Sequence, residues 1–187
     1  MRQVHPNVHE TAVVEPGARL GDGTSVSNHA HVRAGAVVGR GCTLGKNVFV
    51  DAAARIGDAV QVQNDVSVYS GVTLEDEVLV GPSAVFTNDR APRAVSPDWS
   101  VVPTVVRRGA VIGANATIVC GNEVGPWAMV GAGAVVTRPV AAHALVVGNP
   151  ARVSGWVCAC GTVLTHETEP PSELRCAACR DRESFVQ

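Results

Sequence analysis

Residues 80–106 read VGPSAVFTNDRAPRAVSPDWSVVPTVV, and within them a strict six-residue rhythm stops, runs into a polar stretch and restarts. Upstream, an aliphatic residue recurs at every sixth position, through Val8, Val14, Leu20, Val26, Val32, Val38, Leu44, Val50, Ile56, Val62, Val68, Leu74 and Val80, closing on Phe86. Downstream the beat resumes out of phase at Val106, Ile112, Ile118, Val124, Val130 and Val136, so that 92–105 is extra to the repeat. A loop of that length inside a compact repeat domain is uncommon and tends to carry function.

A period of six is neither the 3.6 of a helix nor simple strand alternation, but it suits short strands joined by turns. Four residues after each beat the side chain is small or Val, as at Ala12, Ala36, Cys42, Ala54, Val66 and Ala84, which gives each hexad two inward positions. Three residues after a beat come Gly17, Gly23, Gly35, Gly41, Gly71, Gly109, Gly121 and Gly133, with Asn47, Asp65, Asp89 and Asn115 at equivalent places. These residue types reach the left-handed backbone region at least cost and mark corners.

Composition narrows the class. Aromatics are only 4% of the chain, so the interior must be narrow and filled by small, stiff side chains, which pack well in strands. A net charge of −2 without a basic run argues against nucleic acid as a partner. Residues 1–10 lack the features of a signal peptide and no apolar run is long enough to span a membrane, so a cytoplasmic location is expected.

Cys42 and Cys120 fall inside the repeat, whereas Cys158, Cys160, Cys176 and Cys179 crowd the tail. In a reducing compartment such close pairs read as metal ligands rather than disulfides. Four thiolates complete a tetrahedral zinc site, and two knuckles on a short hairpin resemble a zinc ribbon. Four cysteines leave no open coordination position, so the zinc would be structural. Cys158 and Cys160 stand one residue closer than the usual pair, and a redox dithiol or unpaired cysteines are the alternatives.

The hexad pattern resembles the hexapeptide-repeat acyltransferases. That resemblance implies an all-β, left-handed parallel β-helix in which three hexads form a triangular coil and residues eighteen apart stack. Twenty hexads then imply six to seven coils and a prism roughly 30 Å long at about 4.8 Å per coil. Residues 1–155 would form the β-helix, with an inserted loop at about 88–105, and 156–187 a four-cysteine module. Met1 to Asn7 would cover one end of the prism and the chain beyond Val140 the other.

Four stretches narrow the resemblance: QNDVSVY at 63–69, VFTND at 85–89 with Pro92 and Arg93, RGAVIGANAT at 108–117 and ALVVGNPAR at 144–152. Together they are similar to the nucleotide-sugar 3-N-acetyltransferases. The likeness implies transfer of an acetyl group from acetyl-CoA to the 3-amino group of a UDP- or dTDP-linked amino sugar, in grooves between the subunits of a homotrimer. It makes Asn88 the residue that orients the sugar amine, although an Asn before a loop also caps its own backbone. Gln63, Asn64, Asp65, Tyr69 and Phe86 would form the sugar-nucleotide pocket. Arg90 and Arg93 would hold a diphosphate or carboxylate, unless they are solvated loop charges. Gly113, Ala114, Gly131 and Ala132 would let pantetheine lie against the backbone, or else merely turn corners. Arg138 and Arg152 would meet the nucleotide phosphates of CoA.

A histidine base is harder to place. Residues 92–105 contain none, and His29 and His31 lie three coils below Ser83 and Val85, roughly 14 Å away in the eighteen-residue register. His143 would have to approach from its end of the prism. An amino sugar amine is less basic than lysine, so positioning alone can carry much of the rate. Acylation of another acceptor, as in serine, antibiotic or tetrahydrodipicolinate acyltransferases, is the neighbouring reading. A non-catalytic or carbonic-anhydrase-like β-helix is the distant one, and would need histidines clustered across a subunit interface.

Overall fold

A computed structural model describes residues 5–95 and 99–180. Two inward positions per hexad produce strands of mostly two residues, and these stack into three parallel walls. The first wall carries ten strands, beginning at Asn7–Val8; the second carries seven, from Val13–Val14 to Val135–Val136; the third carries six, from Arg19–Leu20 to Glu123–Val124. Coil lies on coil in an eighteen-residue register, Val8 against Val26, Val26 against Leu44 and Val62 against Val80. Every coil therefore adds the same two kinds of side chain to one column, and Val32, Ala36, Val48, Val62, Val66 and Val78 are fully buried.

In the ten-stranded wall the last two strands, Arg152–Val157 and Val163–Thr165, are antiparallel, which leaves eight parallel strands and a solenoid of about eight turns. That exceeds the six to seven expected. Ala144–Val147 pairs Leu145 with Met129, sixteen residues back rather than eighteen, so this last coil lies outside the hexad beat. Seven steps of about 4.8 Å give a prism of roughly 34 Å.

The corners carry positive φ at the eight expected glycines and at Asn47, Asp65 and Asn115. Asp89 does not join them: the chain leaves the corner there, and the Asp89 carboxylate accepts the Ala91 N–H at 2.9 Å. Ala53, Ala59, Glu77, Ser83 and Trp127 hold positive φ with no signal in their residue type, because closing the triangle overrides local preference.

Past the loop the register changes from eighteen to thirty-two, with Leu79 opposite Val111, so fourteen residues are extra. The chain departs after Phe86 and returns at Thr104, where Thr104–Val106 pairs with Val72–Leu74. The loop thus ends at Pro103 rather than 105, since the Thr104 side chain is already buried and its N–H donates to Gly71 O at 3.0 Å. The Val102 N–H donates to Asn88 O at 2.9 Å and latches the base.

Of the expected N-terminal cover, residues 1–4 lie outside the described residues, and Val8 in the first coil is 40% exposed. The opposite end is covered by the tail, through Trp156 and Leu174. The expected division at 155/156 falls inside the strand Arg152–Val157, which continues the first wall. No helix among the described residues is long and apolar enough to cross a membrane.

Leu44 is among the largest wholly buried side chains. Leu44→Ala is expected to cost about 2–5 kcal/mol, read as a lowered midpoint of urea unfolding.

Candidate active site

The second wall is bounded by two edges. One comprises the turns at 63–66, 81–84, 113–116 and 131–134; the other comprises those at 69–71, 119–122 and 137–139 together with the loop 87–103. The first edge gathers Gln63, Asn64, Asp65, Gly113, Ala114, Gly131 and Ala132, and the second gathers Tyr69, Asn88, Arg90, Arg93 and Arg138. Residues far apart in sequence therefore flank a single face.

Asn88 is half-buried at the root of the loop. Its Nδ2 donates a long bond of 3.4 Å to Ser70 O. A carbonyl only accepts, so the amide nitrogen must face Ser70, and Oδ1 is left as the free acceptor. Ser70 is itself fixed: its N–H and hydroxyl reach Asp51 Oδ2 at 3.2 and 3.0 Å, and the hydroxyl also lies 2.5 Å from Ala52 O. Asp51 further accepts the Ala52 N–H at 2.8 Å and Arg33 Nη1 at 2.9 Å. Burial works to raise the Asp51 pKa, but these N–H, hydroxyl and guanidinium donors outweigh it and hold the carboxyl below its ordinary value.

Asp65, Ser67, Tyr69, Ala84, Val85 and Phe86 line a hollow of about 130 Å³ on the second wall. The Tyr69 ring, 38% exposed, meets Phe49 edge-on at 6.2 Å. Asn64 and Asp65 also serve the corners: Asn64 Oδ1 accepts the Lys46 N–H at 2.9 Å, and Asp65 Oδ1 accepts Asn47 Nδ2 at 2.8 Å. Gln63 sits half-buried beside them. Phe86 lines the floor of the same hollow, although it occupies a beat position of the repeat and is only 1% exposed.

Arg90 donates to Cys120 O at 3.1 Å across the second edge, and a Cβ at Gly121 would lie only 2.2 Å from its Nη2. That contact, which the six-residue period gave no means of finding, pins the loop to the next coil. Arg93 is exposed, and among the described residues it bonds locally, to Pro92 O at 2.7 Å. Gly113 and Gly131 are required by packing, since a Cβ at Gly113 would come within 2.5 Å of Ala132 N. Ala114 is half-buried and Ala132 exposed, so this edge presents a low, smooth surface. Arg138 and Arg152 meet in one cleft of about 230 Å³, with Thr137, Ala151 and Val153. Two guanidinium groups in one cleft suit phosphate.

The histidines stand elsewhere. His29 turns a corner at φ 58°, and His31 Nε2 lies 2.7 Å from Glu15 Oε1. His143 is on the edge between the third and first walls, where its Nδ1 donates to Val157 O at 2.9 Å. None of these three is placed beside Asn88 within one chain.

The Sγ atoms of Cys158, Cys160, Cys176 and Cys179 all lie within 4.8 Å of one another. Tetrahedral zinc with bonds of about 2.3 Å needs sulfurs about 3.8 Å apart, so the set fits a metal with small adjustment. Cys158 and Cys160 sit in a tight turn closed by the Gly161 N–H on Cys158 O at 2.8 Å, and Cys179 lies in the short helix Ala177–Arg180. The Thr162 hydroxyl and N–H hold Cys160 down to about 6, while contact with Cys160, burial and the other two thiols push Cys179 up to about 12. Four thiolates at this spacing need a cation to ionise together. The cluster can hold a metal.

No family model matches the chain. A dTDP-3-amino-3,6-dideoxy-alpha-D-galactopyranose 3-N-acetyltransferase from Aneurinibacillus thermoaerophilus is 57% identical over 61 residues, which is 33% of this chain and 32% of that protein. Serine acetyltransferase 4 from Arabidopsis thaliana is 32% identical over 144 residues, 77% of this chain and 29% of its own. A histidine-to-asparagine mutant of perosamine N-acetyltransferase from Caulobacter crescentus, solved in complex with CoA and GDP-perosamine, shares the fold with a TM-score of 0.52 and 22% identity, over 82% of this chain and 58% of that one. The chain thus spans about a third of the length of the two curated relatives, 32% and 29%.

Asp51 makes the framework beneath Asn88 acid-sensitive. Its folded pKa is below the ordinary 3.8, so its contribution is fully present above that value and is lost as pH falls through the folded pKa. The stability gap between wild type and Asp51→Asn should be widest near neutral pH and close below about pH 4, read by urea unfolding across a pH series.

Proposed function

We propose that this chain, a member of the hexapeptide-repeat β-helix acetyltransferases, transfers the acetyl group of acetyl-CoA to the 3-amino group of a UDP- or dTDP-linked amino sugar. The observation that carries the reading is the Asn88 amide, turned by Ser70 so that its oxygen is a free acceptor at the root of the inserted loop. The amino sugar enzyme that is 57% identical over a third of the chain supports the acceptor class, and the perosamine enzyme's complex with CoA and GDP-perosamine supports the pairing of substrates.

In this mechanism Asn88 Oδ1 accepts one N–H of the neutral amine and aims its lone pair at the thioester carbonyl. The C–N bond forms, the C–S bond breaks, CoA leaves as its thiolate, and the nitrogen sheds its extra proton to the thiolate or to water. Tyr69 and Asp65 floor the sugar-nucleotide side of the second wall, while Arg138 and Arg152 receive phosphates of the donor. The cysteine cluster holds a structural zinc. Acetylation of serine, the activity named for the relative that matches 77% of the chain, is the second reading. A hydroxyl needs a base far more than an amine does, and the placement of His29, His31 and His143 favours the amine.

One prism leaves this face open: Val85 is 48% exposed and Trp99, on the loop, 59%. A homotrimer with three sites between subunits would cover it. Sedimentation should give a trimer, and a fully active monomer would refute that assembly.

Asn88→Ala should lower turnover about 10- to 1,000-fold with acetyl-CoA and a UDP- or dTDP-3-amino sugar, the range for losing alignment or one oriented bond. His29→Ala and His31→Ala should be nearly silent. The rate should rise with pH as the sugar ammonium deprotonates. An unchanged rate for Asn88→Ala, or a large loss on removing a histidine from an intact fold, would overturn the mechanism.

A further inference from the structure

We infer that the metal in the four-cysteine site braces the strand Arg152–Val157, and through it the arginine-lined wall of the donor cleft. The strand has two distinct ends. At its start, Arg152 and Val153 line the cleft they share with Arg138. At its finish, Val157 is followed directly by the cluster residue Cys158. One extended segment of six residues therefore joins the metal site to the phosphate site. The cleft half of this inference rests on the donor reading given above; the brace does not.

The segment is held by strand pairing, by Trp156 in the core and by the bond from Trp156 Nε1 to Thr168 O at 3.3 Å, and a metal at its Cys158 end would add to these. The strand pairs antiparallel with Ala144–Val147, and its other neighbour is the three-residue strand Val163–Thr165; both pairings are irregular, at Leu145/Val146 and at Trp156/Val157. Trp156 and Val157 are buried, yet beside them a hollow of about 350 Å³ lies between the tail and the prism, walled by Trp127, His143, Leu174, Cys158 and Cys179. Across that hollow the strand is tied at Val157, whose N–H donates to His143 O at 2.8 Å and whose carbonyl accepts His143 Nδ1. The next residue is the metal ligand. Tetrahedral coordination by Cys158 and Cys160 on one side and by Cys176 and Cys179 on the other fixes the tail across the joint, which holds Val157 on His143 and keeps Arg152 facing Arg138. With the metal gone, the strand can peel from its Cys158 end, and the cleft loses one of its two guanidinium groups.

The test uses the full chain purified without chelator. Metal analysis should give about one zinc per chain, the stoichiometry of a four-thiolate site. Removal of the metal with a chelator, and independently Cys176→Ser, should speed amide exchange in Arg152–Val157 and Val163–Thr165 about tenfold or more while Met129–Val130 stays protected. Acetyl-CoA should then bind about tenfold more weakly by calorimetry, with affinity for the nucleotide-linked amino sugar unchanged. A chain purified without zinc, or unchanged exchange after metal removal, overturns the brace. Faster exchange with unaltered acetyl-CoA affinity overturns its link to the cleft. Holoprotein that binds no acetyl-CoA refutes the donor reading and the cleft half with it, and the exchange measurement decides the brace alone.

Discussion

Hydrogen bonds between successive coils set everything else in this molecule. Ser25 N–H donates to Cys42 O at 2.8 Å, Thr43 N–H to Val60 O at 2.9 Å and Gln61 N–H to Val78 O at 2.9 Å, each tying a coil to the one above. At that separation the backbone leaves almost no tolerance in register or in corner width. A Cβ at Gly39 would come to 2.4 Å from Gly57 O, and Gly21, Gly57, Gly81, Gly113 and Gly125 are comparably crowded. Each coil is therefore a template for the next, and the interior columns of Val, Ala and Leu follow from a repeated backbone path rather than from individually fitted side chains.

The same register arranges the surface. Ala52, Ser70 and Asn88 occupy equivalent places on successive coils, and the bonds from Arg33 through Asp51 and Ser70 to Asn88 climb one edge of the prism. A side chain at the root of a loop would ordinarily have several orientations. Here the carbonyl of the coil beneath selects one. On the edge between the third and first walls the same stacking yields charge ladders, with Arg107 bridging Glu75 and Glu123 at 2.7 and 2.6 Å. Those pairs are solvent-facing and add little stability, so they decorate the solenoid and do not hold it.

How much of this could be read from the sequence depends on the range of the interaction. The beat, the glycine corners and the fourteen-residue surplus are periodic, and periodicity survives in one dimension. Left-handed Ala53, Glu77 and Trp127 were hidden because tertiary closure rather than residue type dictates them. The last coil was missed because its corner is two residues short and leaves the beat. Phe86 had its interior place written in its position, and it lines the hollow on the second wall from beneath. Arg90 reaches thirty residues ahead to Cys120, a contact with no local signature. The four cysteines were legible from spacing alone, whereas the fastening of Val157 to His143 needed coordinates.

The fourteen-residue surplus has an evolutionary reading. Val80 and Ile112 stack as Val62 and Val80 do, so the walls on either side of the loop carry no record that it exists. An edge of such a prism is a place where chain can be added, shortened or exchanged without the interior having to adapt. Recognition in this architecture can therefore diversify independently of stability, with the spacing between successive edge insertions fixed in whole coils and the scaffold acting as a ruler rather than a mould.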